Sequence, residues 1–105
     1  MVQNFEISIV NLSFLSDYSS FLLQASVKNI ELSDFIKNSI PKNDKAWLSD
    51  LKSWEINIKW ILEVTRICLN NFEQVFFDNG DEILLDLKDE KSFQRFSTLV
   101  KEINQ

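Results

Sequence analysis

Histidine is absent from this chain, and cysteine, glycine and proline each occur once in 105 residues. Without histidine, the commonest general acid/base and the commonest metal-binding imidazole are both missing. A nucleophilic cysteine needs a base or a cation beside it, and no histidine exists to serve Cys68. A lone cysteine also excludes an intramolecular disulfide and fits a reducing compartment, so a cytoplasmic protein is expected. One glycine cannot build a phosphate-cradling loop, which needs several. One proline and one glycine likewise leave no flexible linker, so residues 1–105 are expected to form a single domain. The longest apolar runs, such as Trp60-Ile61-Leu62, are only three residues. A membrane-spanning helix needs roughly 20, so none is expected. The first basic residue is Lys28, so the opening residues lack the basic start of a signal peptide and export by that route is not expected.

What the chain does have is a 45% hydrophobic, 12% aromatic composition, enough for a packed core. Its net charge is −5, which works against nucleic acid and anionic lipid as partners. The acidity is localised. Between Val75 and Glu90 stand Asp78, Asp81, Glu82, Asp86, Asp89 and Glu90 against Lys88 alone, an excess equal to the charge of the whole chain.

Alternation over Phe5–Ile9 and again over Phe21–Val27, separated by the turn-rich Ser16–Ser20, predicts a pair of N-terminal strands, although Phe5, Ile9 and Leu12 also fit a helix. Ser33-Asp34 reads as a helix start, with Phe35, Ile36 and Ile40 inward and Pro41 as the stop. Trp47, Leu51, Trp54, Ile58, Ile61, Thr65, Cys68 and Phe72 recur in steps of four and three. That spacing predicts a long central helix over about 44–71, bent or divided near Ser53, with Glu55, Lys59, Glu63, Arg66 and Asn70 as its polar stripe. Asn79-Gly80 between two hydrophobic runs predicts a β-hairpin with a two-residue turn. In that register Phe76 faces Ile83, Phe77 faces Glu82 and Asp78 faces Asp81. Phe93, Phe96, Leu99, Val100 and Ile103 predict a C-terminal helix over about 90–103, capped by Asp89 and packed on the sheet. The expected fold is α+β: an antiparallel sheet that includes the hairpin, a long central helix and a C-terminal helix.

These residues point to binding rather than catalysis. Like charges placed cross-strand are costly unless solvent, a cation or a basic partner relieves them. Asp78, Asp81, Glu82 and Asp86 are therefore candidate contacts to a basic protein surface, as in an inhibitor or immunity protein. Trp47 and Trp54 are the second candidates, because tryptophan is enriched at binding hot spots. Their alternative reading is an adaptor or chaperone-like subunit, homodimeric through its apolar surface. Core packing is the plainer role for Trp47, Trp54 and Trp60, and burial the plainer role for Cys68. Neither a cofactor, a metal nor a catalytic residue is expected. The acidic spacing misses the EF-hand pattern, and no basic stripe is available for nucleic acid.

Overall fold

Two strands open the structure, a computed structural model that describes residues 8–15, 17–78 and 84–103. Strand β1 (Ile9–Phe14) turns Val10, Leu12 and Phe14 one way and Asn11 and Ser13 the other. Strand β2 (Ser20–Ala25) pairs with it antiparallel, setting Leu12 against Leu23 and Phe14 against Phe21. The second expected strand is present, whereas the first lies at Ile9–Phe14 and shares only Ile9 with the expected Phe5–Ile9, most of which lies outside the described residues. In the connecting turn Tyr18 takes a positive φ of 57°. The Asp17 carboxylate accepts from the Ser19 backbone N–H at 3.0 Å and from its hydroxyl at 2.8 Å, which holds the acid below its usual range.

Helix α1 (Ile30–Ser39) begins earlier than Ser33-Asp34 suggests. Asn29 is the cap, its side-chain oxygen accepting the Leu32 N–H at 3.0 Å, so Ser33 and Asp34 lie inside the helix. Leu32 and Ile36 are buried, and Ile40-Pro41 leads the chain out. Lys45 secures the far end by donating to the carbonyls of Ile36 at 2.6 Å and Lys37 at 3.0 Å.

The largest correction concerns 44–71. Its first half is a hairpin: β3 (Lys45–Leu48) and β4 (Ser53–Asn57) pair antiparallel, with Trp47 opposite Trp54. Only α2 (Ile61–Asn71) is α-helical, entered through a 3₁₀ turn at Ile58–Trp60. The helical pattern misleads because Trp47 and Trp54, partners across this four-residue turn, are seven apart in sequence, the separation of two helical turns. Glu55 and Lys59, expected on one polar helical stripe, are separated for the same reason. Glu55 lies in β4 and accepts from the Ser20 hydroxyl at 3.3 Å, while Lys59 pairs with Asp44 at 2.9 Å.

Strand β5 (Gln74–Asp78) runs parallel to β1, and β6 (Leu84–Asp86) closes antiparallel on β5. The order across the sheet is β3-β4-β2-β1-β5-β6. Helix α3 (Glu90–Ile103) follows, and Asp89 caps it by accepting the Ser92 N–H at 3.1 Å, as expected. The architecture is α+β, with a mostly antiparallel sheet and, among the described residues, three α-helices.

One sheet face carries Val10, Leu12, Phe21, Leu23, Ile56, Val75, Phe77 and Leu85, all buried in a single cluster. The same cluster takes Leu32 and Ile36 from α1, Ile61, Val64 and Cys68 from α2, and Phe96 and Val100 from α3. All three helices therefore cover that face, while Asn11, Gln24 and Asp86 mark the uncovered one. Phe77 sits near the centre of the core, its ring edge-on to Phe14 at 4.6 Å and to Phe96 at 4.9 Å.

Candidate functional site

Alternation in β3 and β4 sends Trp47 and Trp54 to the helix side, but β3 is the edge strand and, among the described residues, no helix lies beyond it. The two indoles meet edge-on, with ring centroids 5.3 Å apart at 64°. Trp54 is half-buried against the core, whereas Trp47 stays 53% exposed. Between this pair and α1 lies a groove of about 390 Å³. Its apolar wall is Leu23, Leu32 and Ile36, continuous with the core. Cavities used for ligands run from about 300 Å³ upward, so the groove is large enough to hold a side chain or more.

Charge distinguishes this groove from the rest of the chain. Lys28 stands before α1, Lys37 in its last turn and Lys52 in the β3–β4 turn, and all three line it. Among the described residues no aspartate or glutamate lines it. Lys52 holds a left-handed backbone with φ of 49°, a position that favours glycine or asparagine. A β-carbon there costs about 1 kcal/mol, so this turn places its lysine at some expense. The turn is anchored through the Leu51 carbonyl, which accepts from the Ser53 hydroxyl at 2.9 Å and from the Gln24 amide at 3.5 Å.

Trp60 is placed elsewhere. Its Nε1–H donates to the Asp44 carboxylate at 3.0 Å, and its ring lies edge-on to Phe35. Asp44 also meets the Lys59 ammonium at 2.9 Å, and these two contacts, the lysine first, hold its acid below the usual range. The result is a tie between the segment after α1 and the segment before α2.

The acidic segment differs from its expected form. Phe77 faces Leu85 and Asp78 faces Leu84, so the register is shifted by three from that of a two-residue turn. Leu85 rather than Glu82 therefore lies beside the buried Phe77, and Leu84 rather than Asp81 lies opposite Asp78. The physical reason is burial: β5 is also registered to β1, with Phe77 beside Leu12, and Leu85 completes that apolar row. Asp81, Glu82 and the Asn79-Gly80 turn itself lie outside the described residues. Asp78 and Asp86 are exposed, and Asp86 accepts the Lys88 N–H at 3.0 Å in a local turn. Five strand spacings separate β6 from β3, so the acidic edge and the tryptophan groove stand roughly 24 Å apart. The structure thus joins Trp47 to Trp54 and keeps both from Asp78 and Asp86.

Cys68 is fully buried in α2, and burial pushes its thiol up to about 12. No group of three or more histidine, cysteine, aspartate or glutamate side chains is placed to hold a metal among the described residues. Nor is any described helix long and apolar enough to cross a membrane. The three lysines carried no signal in the sequence, because they come from separate segments and meet only once α1 folds over the sheet. Comparison with known proteins gave no match, whether to a family model, a curated protein or a solved structure.

Proposed function

We propose that the chain is a non-enzymatic protein-binding module whose working surface is the Trp47–Trp54 groove. The observation that carries this reading is the half-exposed Trp47, packed edge-on against Trp54 at the rim of an apolar cavity. A large rigid side chain held beside a desolvated pocket is the usual make-up of a binding hot spot. Folding alone gives no reason to keep a tryptophan there, since about half of its surface is left in water.

A peptide-display selection against the wild-type protein, with each enriched peptide re-tested on Trp47→Ala, examines the reading directly. Enriched peptides should bind the wild type and lose at least tenfold in affinity on the variant, while its circular dichroism is unchanged. Peptides indifferent to Trp47 would refute it. A second reading assigns the docking of a basic protein to the opposite edge, where Asp78 and Asp86 stand exposed. Reversing the charge of both would abolish binding of such a partner and leave groove-directed peptides unaffected.

A further inference from the structure

We infer that the groove's occupant is an acidic peptide segment of a partner protein, lying extended between α1 and the β3–β4 hairpin. Its carboxylates would meet Lys28, Lys37 and Lys52, and an apolar side chain would rest on Trp47. This rests on the reading of the groove as a binding surface and adds the chemistry of what it binds.

The chain carries a net charge of −5, yet the groove is lined by three lysines and, among the described residues, by no carboxylate. The Lys59–Asp44 ion pair, seen among the described residues, lies outside this lining. The groove is therefore a positive surface on a negative protein, complementary to an anionic partner. An extended segment fits the spacing better than a small acid. Helix α1 rises about 1.5 Å per residue, which sets Lys28 and Lys37 at least roughly 10 Å apart along the groove. A single carboxylate would meet both only by drawing the two side chains together, whereas several acids along one segment pair with each lysine in place. An extended peptide advances about 3.3 Å per residue, so acids on alternate residues reach successive lysines while the residues between face the indoles or solvent. Nucleic acid also offers anions and stacking, but its densely charged backbone would meet the repulsion of the remaining surface.

Three short synthetic peptides test this against isotope-labelled full-length protein by NMR: glutamate alternating with leucine and phenylalanine, its glutamine counterpart and its lysine counterpart. The glutamate peptide should shift the Trp47 and Trp54 indole N–H signals saturably. Its affinity should fall with added salt, and by about two- to fivefold in each of Lys28→Gln, Lys37→Gln and Lys52→Gln. Equal binding of the glutamine peptide at the same indoles would overturn the acidic occupant and leave the groove standing. Failure of the groove itself reads differently: every peptide would leave both indoles unmoved, and displayed peptides would ignore Trp47. Stronger indole shifts with an oligothymidylate than with the glutamate peptide would overturn the inference in favour of nucleic acid. So would indole shifts that arise on concentrating the protein alone and vanish in Asp78→Lys/Asp86→Lys, because the occupant would then be a second copy.

Discussion

Truncating the neighbours Phe76 and Phe77 separately tests the placement of β5 on which the whole acidic edge depends. Phe77 is 0% exposed, faces Leu12 and Leu85, and packs edge-on to Phe14 and Phe96. Phe77→Ala opens a cavity in a layer pinned from both sides, and such truncations cost about 3–5 kcal/mol. The two aromatic contacts account for about 0.5–1.5 kcal/mol each of that loss. Phe76 faces Asn11 and Asp86 on the uncovered side of the sheet and is only half-buried. Its truncation opens onto water instead of leaving a void, so Phe76→Ala should cost about 1 kcal/mol. Urea denaturation followed by far-ultraviolet circular dichroism measures both. With slopes of about 1–3 kcal/mol per molar, Phe77→Ala should lower the midpoint by roughly 2 M and Phe76→Ala by well under 1 M. Should Phe77→Ala prove too unstable, Phe77→Leu gives the same comparison at about 1–2 kcal/mol. A one-residue slip of β5 against β1 would exchange the faces of the two phenylalanines, so a larger loss for Phe76 than for Phe77 would refute the placement of β5.

Thr65 is buried in α2, and its hydroxyl finds no hydrogen-bond partner among the described residues. Thr65→Val keeps the shape, removes the desolvated hydroxyl and should raise stability by about 1 kcal/mol in the same urea assay; a loss of that size would mean the hydroxyl is bonded in solution. The Cys68 thiol, raised to about 12 by burial, should resist a colorimetric disulfide reagent at pH 8 in native protein and react at once in denaturant; fast native reaction would contradict its placement. Because Asp44 is depressed below its ordinary 3.8 by Lys59 and Trp60, its contribution to stability is present above that value and disappears as the pH falls below it. The Trp60 indole N–H should report this as an NMR shift confined to pH below 3.8, and a midpoint above that value would count against the contact.

Strand β2 was legible in the sequence, as was the C-terminal helix with its Asp89 cap. Phe21, Leu23 and Ala25 alternate because β2 is covered on one side only. The β3–β4 hairpin was not legible. Its turn has no glycine at the left-handed position, where Lys52 stands, and its facing tryptophans are spaced like two turns of a helix. The cue that could have separated the two readings is the alternation of Trp54, Ile56 and Ile58 with Glu55 and Asn57, which suits a strand better than a helix. The Asn79-Gly80 signal located the hairpin correctly and set its register wrongly. Turn chemistry is local, whereas the register answers to β1 on the other side of β5. For the groove, Trp47 and Trp54 were identifiable from residue type alone. Their lysines were not, because charge convergence is a property of the assembled helix and sheet.

The parallel pairing of β1 with β5 has a consequence for how the chain comes together. Its first strand finds one neighbour at once in β2, but the other arrives only with β5, as in the Glu73 N–H that donates to the Ser8 hydroxyl across 65 residues. A lone hairpin is marginal in water, so β1 and β2 must wait. During synthesis α1 is at hand early to cover part of this pair's apolar side, but the cover from α2 and α3 arrives only once most of the chain has left the ribosome. Closing so long a loop sets the pace of folding, and mutations at the β1–β5 seam should slow refolding more than those in the locally formed β3–β4 hairpin.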